Sequence, residues 1–222
     1  MEAVIFDMDG VIFDSERAYI ECWEPIEKEY NIPDLEETLF KCIGVTSKVT
    51  KQIFADKYGE DFPLEKYQAM ASVSMRELVD SGKLQKKPGI DEFLDYLKSK
   101  NIPLAVASST KSDTVKRELK LAKIIDYFDV IIGGDMVEKS KPEPDIFLTA
   151  AKELGVIADK CIVIEDSYNG IRAAKAAGMT AFMVPDLLKP NEEMREKADK
   201  IFDSLVEVND YIRCEMAPVS ST

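Results

Sequence analysis

Two aspartates near the start of the chain are the first candidates for chemistry. Asp7 and Asp9 follow the apolar run Ala3–Phe6, and Gly10 comes directly after them. An unbroken apolar run is typical of a strand buried on both faces of a parallel sheet, and such a strand delivers the next residues to the ligand-binding edge. Two carboxylates this close repel each other unless a shared proton or a cation such as Mg²⁺ relieves them. Because Asp and Gly also favour ordinary turns, the rest of the chain must decide between the two interpretations.

Other reactive side chains follow later apolar runs. They are the hydroxyls Ser108, Ser109 and Thr110, the amine Lys141, and the carboxyls Glu165 and Asp166. Since the carboxyl ends of parallel strands meet at one edge of a sheet, we expect these groups to lie together. Phosphoryl transfer through a carboxylate nucleophile requires this set: an aspartate attacks phosphorus, while Mg²⁺, a lysine and hydroxyls stabilise the charge. A second carboxyl can protonate the leaving alcohol and then activate water.

Alternating strand and helix patterns predict the elements that position these residues. Strands separated by helices form βα units and a parallel sheet, so we expect an α/β, Rossmann-like core from residues 1–14 and 83–222. Residues 15–82 contain helical patterns and no strand-like run, which predicts an all-helical insertion. This insertion begins shortly after Asp7 and Asp9, so we expect it to act as a cap over the site. Ser15 is predicted to cap its first helix, which Pro25 should kink or break.

Composition limits the classes of partner. Among 222 residues, 29 Lys and Arg stand against 42 Asp and Glu, for a formal net charge of -13. This balance disfavours nucleic acids and anionic membrane surfaces, but a locally positive pocket can still bind phosphate. The start of the chain lacks a basic, apolar targeting segment, and no apolar run is long enough to span a bilayer, so we expect a cytoplasmic protein. We also expect a monomer, although the sequence carries no signal for the oligomeric state.

The absence of histidine narrows the chemistry further. It excludes Ser-His-Asp and Cys-His nucleophile schemes, so acid and base roles fall to other side chains. The four cysteines are scattered without a close pair, which favours reduced thiols over a zinc site.

At these residues the chain resembles the haloacid dehalogenase (HAD) superfamily of phosphohydrolases. The matching motifs are Asp7-Met8-Asp9-Gly10-Val11, then Ser108, then Lys141 within Lys-Pro-Glu-Pro-Asp, and finally Glu165-Asp166-Ser167. The place of the insertion resembles the subfamily with a helical cap after the first motif, which includes β-phosphoglucomutase and phosphoglycolate phosphatase. Four motifs in this order, spread over nearly the whole chain, are specific in combination.

The resemblance implies a role for each residue. Asp7 would be the nucleophile and Asp9 the general acid and base. Ser108, with Ser109 beside it, and Lys141 would bind the phosphoryl group. Mg²⁺ would be held by the carboxylates of Asp7 and Asp166 and the main-chain carbonyl of Asp9, with Glu165 close by. The implied activity is a Mg²⁺-dependent phosphatase that hydrolyses a small phosphomonoester, such as a sugar phosphate, through an aspartyl-phosphate.

Positions in the insertion bear on the alternative of a phosphosugar mutase. β-Phosphoglucomutases carry a histidine where this chain has Tyr19. They also carry a lysine before the cap glycine and an arginine after it, where this chain has Ile43 and Ser47 around Gly44. These departures favour a phosphatase. Lys48 and Lys51 are near enough to substitute, so the mutase remains the alternative.

Two proteins of other classes could use similar residues. A receiver-type signalling domain also combines Asp, Ser or Thr, Lys and Mg²⁺ at strand ends, but its acceptor lies on a middle strand and it has no helical cap. A catalytically silent phosphate-binding protein is disfavoured because both Asp7 and Asp9 are present.

Overall fold

The computed structural model describes residues 1–43 and 47–216. Gly44, the reference point for the mutase comparison, and the tail beyond residue 216 lie outside the described residues. The chain divides into two compact units, one formed by Met1–Phe13 with Lys86–Thr222 and the other by Asp14–Gln85. As far as they are described, the first is α/β and the second contains helices but no strand, which confirms the predicted fold class.

A parallel sheet forms the centre of the first unit. Within the described residues it has six strands in the order β3-β2-β1-β4-β5-β6. They are β1 (Ala3–Phe6), β2 (Leu104–Ser108), β3 (Val130–Gly133), β4 (Cys161–Glu165), β5 (Thr180–Met183) and β6 (Lys200–Ile201). This is the Rossmann strand order, and it reverses direction between β1 and β4. Ligands in such sheets bind where the order reverses, at the carboxyl ends of the strands.

Five helices are described in the second unit. They are α1 (Ser15–Glu21), α2 (Glu24–Tyr30), α3 (Leu35–Lys41), α4 (Ser47–Tyr58) and α5 (Leu64–Asp80). Helices α1 and α2 pack against α5, and α3 packs against α4. Buried Trp23, Ile26 and Phe54 belong to a separate apolar cluster, in which the rings of Tyr58 and Phe62 stack at 4.7 Å. The unit therefore has its own hydrophobic core.

The helices of the first unit cover both faces of the sheet. They are α6 (Ile90–Ser99), α7 (Ser112–Leu121), α8 (Asp145–Leu154), α9 (Tyr168–Ala176), α10 (Glu192–Lys197) and α11 (Leu205–Glu215). Alternate residues of β1 point to opposite faces. Ile5 shares an apolar cluster with Phe147 of α8, whereas Phe6 meets Phe93 of α6 edge-to-face at 5.5 Å. Burial on both faces explains why β1 is apolar without alternation.

The boundaries of three helices, α1, α2 and α10, differ in how well local sequence signals predicted them. Pro25 lies in the first turn of α2, so the predicted kink is a break between α1 and α2. The prediction that Ser15 caps α1 is wrong by one residue, because Asp14 occupies the cap position and its carbonyl accepts the Ala18 N–H at 3.1 Å. The short helix α10 was not predicted. Asn191 caps it by accepting the Met194 N–H at 2.9 Å.

Among the residues that the structure describes, no helix is long and apolar enough to cross a bilayer.

The packing of Phe93 on Phe6 generates a stability prediction. Phe93 is fully buried, so Phe93→Ala should lower the free energy of unfolding by about 3–5 kcal/mol through lost burial and a cavity. Leu148→Ala, at a position of α8 that is 42% exposed, should change it by less than about 0.5 kcal/mol. Urea unfolding followed by circular dichroism measures both. Equal effects of the two substitutions would contradict the packing described here.

Candidate active site

Three neighbouring strands deliver the predicted site residues to one edge of the sheet. Asp7 follows β1, Ser108 ends β2 and Glu165 ends β4. Phe6 of β1 pairs with Val106 on one side and with Ile164 on the other, so the three strand ends lie side by side. The strand order reverses between β1 and β4, so Asp7 and Glu165 lie on either side of the point of reversal.

Lys141 is the centre of this group. Its ammonium donates to Asp7 Oδ1 at 2.5 Å, to Glu165 Oε1 at 2.7 Å and to the Ala107 carbonyl at 3.3 Å. Its side chain is only 7% exposed and lies over the ring of Phe147, 4.8 Å from the ring centroid. Burial works to lower the pKa of Lys141, but the carboxylates of Asp7 and Glu165 outweigh burial and hold this pKa above its usual value. The lysine therefore stays charged.

The Asp7 carboxyl is difficult to ionise in this environment. Burial raises the pKa of Asp7 to about 8, against the opposing attraction of Lys141 and with the help of the nearby carboxyls of Glu165 and Asp9. A carboxylate nucleophile must be ionised, and a bound cation would favour the ionised form. The local charge balance is therefore suited to additional positive charge.

Three buried carboxyls offer a place for that charge. Asp7, Glu165 and Asp166 each present an oxygen, and these oxygens lie within 4.8 Å of one another. Lys141 supplies one positive charge beside these three carboxyls, and a divalent ion would supply the further positive charge that favours their ionised forms. Oxygen-only donors are the ligands preferred by Mg²⁺ and similar hard cations. The residues present therefore fit a divalent metal ion.

Two glycines make room for these carboxylates. Gly10 has a positive φ of 77°, and a Cβ there would overlap the Asp166 carboxylate. A Cβ at Gly170 would overlap the carboxylate of Glu165, whose Oε2 also accepts the Ser167 N–H at 2.7 Å. Both carboxylates thus pack directly against bare backbone.

Asp9 lies in a different polar group. Its Oδ2 accepts from the hydroxyls of Thr110 at 3.0 Å and of Ser108 at 3.3 Å, and the Ser108 hydroxyl also accepts the Thr110 N–H at 3.0 Å. The Asp9 carboxylate is not part of the group formed by Asp7, Glu165 and Asp166. The metal contact expected of the Asp9 main-chain carbonyl stays a prediction. Ser109 is exposed.

Asp135 is a residue of this edge that sequence analysis missed. It follows β3, and its carboxylate accepts the Ser112 N–H at 2.7 Å and the Ser112 hydroxyl at 3.0 Å. The Gly134 N–H donates to the Thr110 carbonyl at 3.0 Å, and a Cβ at Gly134 would overlap the Ser109 carbonyl. These contacts hold the loop after β2, which carries Ser109 and Thr110 and is called the hydroxyl loop below. The sequence signal is Gly133-Gly134-Asp135, which stands at the end of β3.

Glu118 of α7 was also missed, since a glutamate in a helix is usually solvated. It is buried, and burial raises its pKa to about 7, with the charge of Asp9 adding to the increase and Arg117 opposing it.

Comparisons with known proteins identify the class. A Rossmann sheet with lysine and carboxylates at its switch point is typical of an enzyme, and a model of the haloacid dehalogenase-like hydrolase family matches residues 4–184. The chain therefore belongs to the haloacid dehalogenase-like hydrolase family. This confirms the predicted family and makes the protein an enzyme of the HAD hydrolase type.

Relatives of known sequence and structure support the same placement. The chain is 36% identical over 179 residues to the phosphorylated carbohydrates phosphatase of Thermotoga maritima, covering 81% of this chain and 82% of that protein. It is 36% identical over 187 residues to the β-phosphoglucomutase of Bacillus subtilis, covering 82% of each. Among solved structures, CbbY from Rhodobacter sphaeroides in complex with phosphate is similar with a TM-score of 0.72 and 27% identity, covering 94% of this chain and 96% of that one.

The close packing of the Glu165 carboxylate against Gly170 generates a stability prediction. Gly170→Ala would normally favour a helix by about 1 kcal/mol, but here it should lower the melting temperature because the new methyl group overlaps Glu165. In a Glu165→Ala background the overlap is removed, so the same substitution should be tolerated better. A thermal-unfolding double-mutant cycle measures this coupling. Equal destabilisation in both backgrounds would show that Glu165 does not cause the effect.

Proposed function

We propose that this protein is a Mg²⁺-dependent phosphatase that hydrolyses a small phosphomonoester through an aspartyl-phosphate on Asp7. The observation that carries the proposal is the buried Lys141 ammonium held between Asp7 and Glu165, with Asp166 beside them. Asp7 supplies a nucleophile on the end of a rigid strand, and Lys141 supplies a fixed cation next to it.

Each step can be assigned to groups of this chain. An Asp7 oxygen attacks phosphorus and the ester P–O bond breaks, so that the phosphoryl group passes to Asp7. Asp9 gives a proton to the departing alkoxide, then removes a proton from the water that attacks the aspartyl-phosphate, releasing inorganic phosphate and regenerating Asp7. Lys141 and the Ser108 hydroxyl bind phosphoryl oxygens, with Ser109 nearby. Bound Mg²⁺, held by Asp7 and Asp166 and the Asp9 carbonyl with Glu165 close by, would neutralise negative charge on the phosphoryl group.

A sugar phosphate is the substrate class that we favour. The Thermotoga maritima relative is named for phosphorylated carbohydrates, and its match covers most of both chains. The negative net charge of this protein is compatible with such a substrate, because the cation that meets the phosphate is local to the site.

A phosphosugar mutase is the second candidate, since the Bacillus subtilis β-phosphoglucomutase is as similar as the phosphatase. A mutase needs a cation for the second phosphate. Tyr19 cannot supply one, and burial raises its pKa further. Lys51 pairs with Glu65 at 2.6 Å on the exposed surface, and Lys48 is exposed, so both remain the candidates for that cation. The neutral side chain at Tyr19 favours hydrolysis over mutase activity.

Inorganic phosphate release from a substrate panel tests the proposal. The panel contains sugar phosphates, phosphoglycolate and nucleoside monophosphates, each with Mg²⁺ or with EDTA, and glucose 6-phosphate is assayed when β-glucose 1-phosphate is supplied. We expect Mg²⁺-dependent phosphate release from at least one sugar phosphate. Efficient glucose 6-phosphate formation with little free phosphate would establish the mutase instead. Turnover that persists in EDTA would overturn the metal requirement.

Substitution of the two aspartates separates their roles. Asp7→Asn should lower kcat by about 10³-fold or more for every substrate, since it removes the nucleophile. Asp9→Asn should lower kcat by about 10²–10⁴-fold for alkyl phosphates. Its effect on the first step should be smaller with p-nitrophenyl phosphate, because nitrophenolate leaves without a proton.

Steady-state and single-turnover kinetics measure both variants, with melting temperatures to verify folding. Asp159→Asn, at an exposed carboxyl before β4, is the control and should retain wild-type turnover. Persistence of turnover in Asp7→Asn would exclude Asp7 as the nucleophile.

A further inference from the structure

The loop after β5 brings another carboxylate to the edge of the sheet. Asp186 lies three residues beyond the end of β5, and β5 is the neighbour of β4, which carries Glu165. Asp186 Oδ1 accepts from the Lys87 ammonium at 2.6 Å. The side chain of Asp186 is 3% exposed and that of Lys87 is 20% exposed, so this ion pair is largely withdrawn from water.

The second oxygen of Asp186 is the unusual feature. Among the described residues, Oδ2 is buried and no protein group donates a hydrogen bond to it. A carboxylate oxygen of Asp186 also lies within 4.8 Å of a carboxylate oxygen of Asp166. Leaving a buried carboxylate oxygen without a donor costs free energy, so such atoms in native proteins are satisfied by protein or by ordered water. Because Asp166 belongs to the three-carboxylate group, a donor bound at that group would lie close to Asp186.

We propose that Asp186 is a positioning residue of the metal site, with Oδ2 accepting a hydrogen bond from a water molecule on the divalent ion held at Asp166. The inference rests on the metal site of the proposed function. Mg²⁺ dehydrates reluctantly and usually keeps several waters, and these waters are strong hydrogen-bond donors. An acceptor in the outer shell commonly contributes 10- to 100-fold to metal affinity.

Lys87 gives the arrangement its geometry. By binding Oδ1, its ammonium fixes the carboxylate plane and offsets the charge of Asp186. Oδ2 is then the oxygen that remains for the metal-bound water. Without this outer-shell role, Asp186 would serve only as the structural partner of Lys87. The two interpretations differ in what each substitution does to metal affinity.

Mn²⁺ binding to the full chain, measured from the electron paramagnetic resonance signal of free Mn²⁺, distinguishes them. Mn²⁺ replaces Mg²⁺ as the probe because it also prefers oxygen ligands. The variants are Asp186→Asn, Lys87→Met and the double variant Lys87→Met/Asp186→Leu, which replaces the pair by apolar groups and leaves no unpaired charge. Asp91→Asn is the matched control, because Asp91 pairs at 2.6 Å with Lys86, the residue next to Lys87, and is well exposed.

We expect Asp186→Asn and the double variant to weaken Mn²⁺ binding by about 10- to 100-fold. Asp91→Asn should bind Mn²⁺ within about threefold of wild type, because Asp91 pairs with Lys86 and not with Asp186. Lys87→Met keeps the acceptor but releases its orientation, so it should weaken Mn²⁺ binding by less than Asp186→Asn does. The melting temperature without metal reports the structural effect of each change separately. If Asp186→Asn does not fold, the double variant carries the test.

Three results would overturn the inference. Wild-type affinity in Asp186→Asn, or in the double variant, would leave Asp186 as a structural partner only. Equal weakening by Lys87→Met and Asp186→Asn would show that the ion pair, rather than the free oxygen, matters. Failure of the wild-type protein to bind Mn²⁺ would remove the metal site of the proposed function as well, whereas the first two results leave that site intact.

Discussion

The arrangement of this edge depends on one buried cation. Lys141 donates to Asp7, Glu165 and the end of β2, and it packs over Phe147. Buried carboxylates are stable only when they are paired, hydrogen-bonded or bound to a metal. The lysine satisfies part of that requirement, and the remaining carboxylate oxygens fit a divalent ion. A site that needs added positive charge is well matched to an anionic phosphate ester with its metal ion.

Three glycines are the second constraint on the site, because neighbouring groups pack against their backbone where a side chain would stand. Gly10 and Gly170 let the carboxylates of Asp166 and Glu165 pack directly against the chain, and Gly134 lets the loop after β3 approach the hydroxyl loop. Asp135 then ties that loop to the start of α7. Such close packing holds side chains in fixed positions, and preorganised charges are more effective in catalysis than mobile ones.

Relatives of two activities share this core. The chain is 36% identical to a phosphatase over 81% of its length and 36% identical to a phosphoglucomutase over 82% of its length. The helical unit has its own apolar core, so its surface residues can vary without disturbing the sheet.

Local patterns along the chain were enough to predict the secondary-structure elements and the order of the motifs. Apolar runs without alternation predicted the buried strands and helical spacing predicted the inserted unit, because these are local patterns with a fixed period. Asp7 and Glu165 were therefore placed at strand ends, and Lys141 was placed in the loop after β3. The motifs predicted the family, which the comparisons confirmed. Tertiary structure alone decided which atoms meet. Asp135, Asp186 and Glu118 were missed because a carboxyl in a loop or helix has no local mark of burial, which comes from segments distant in the chain. The hydrogen bonds of the Asp9 carboxylate with Ser108 and Thr110 likewise follow from how the loops after β1 and β2 fold against one another.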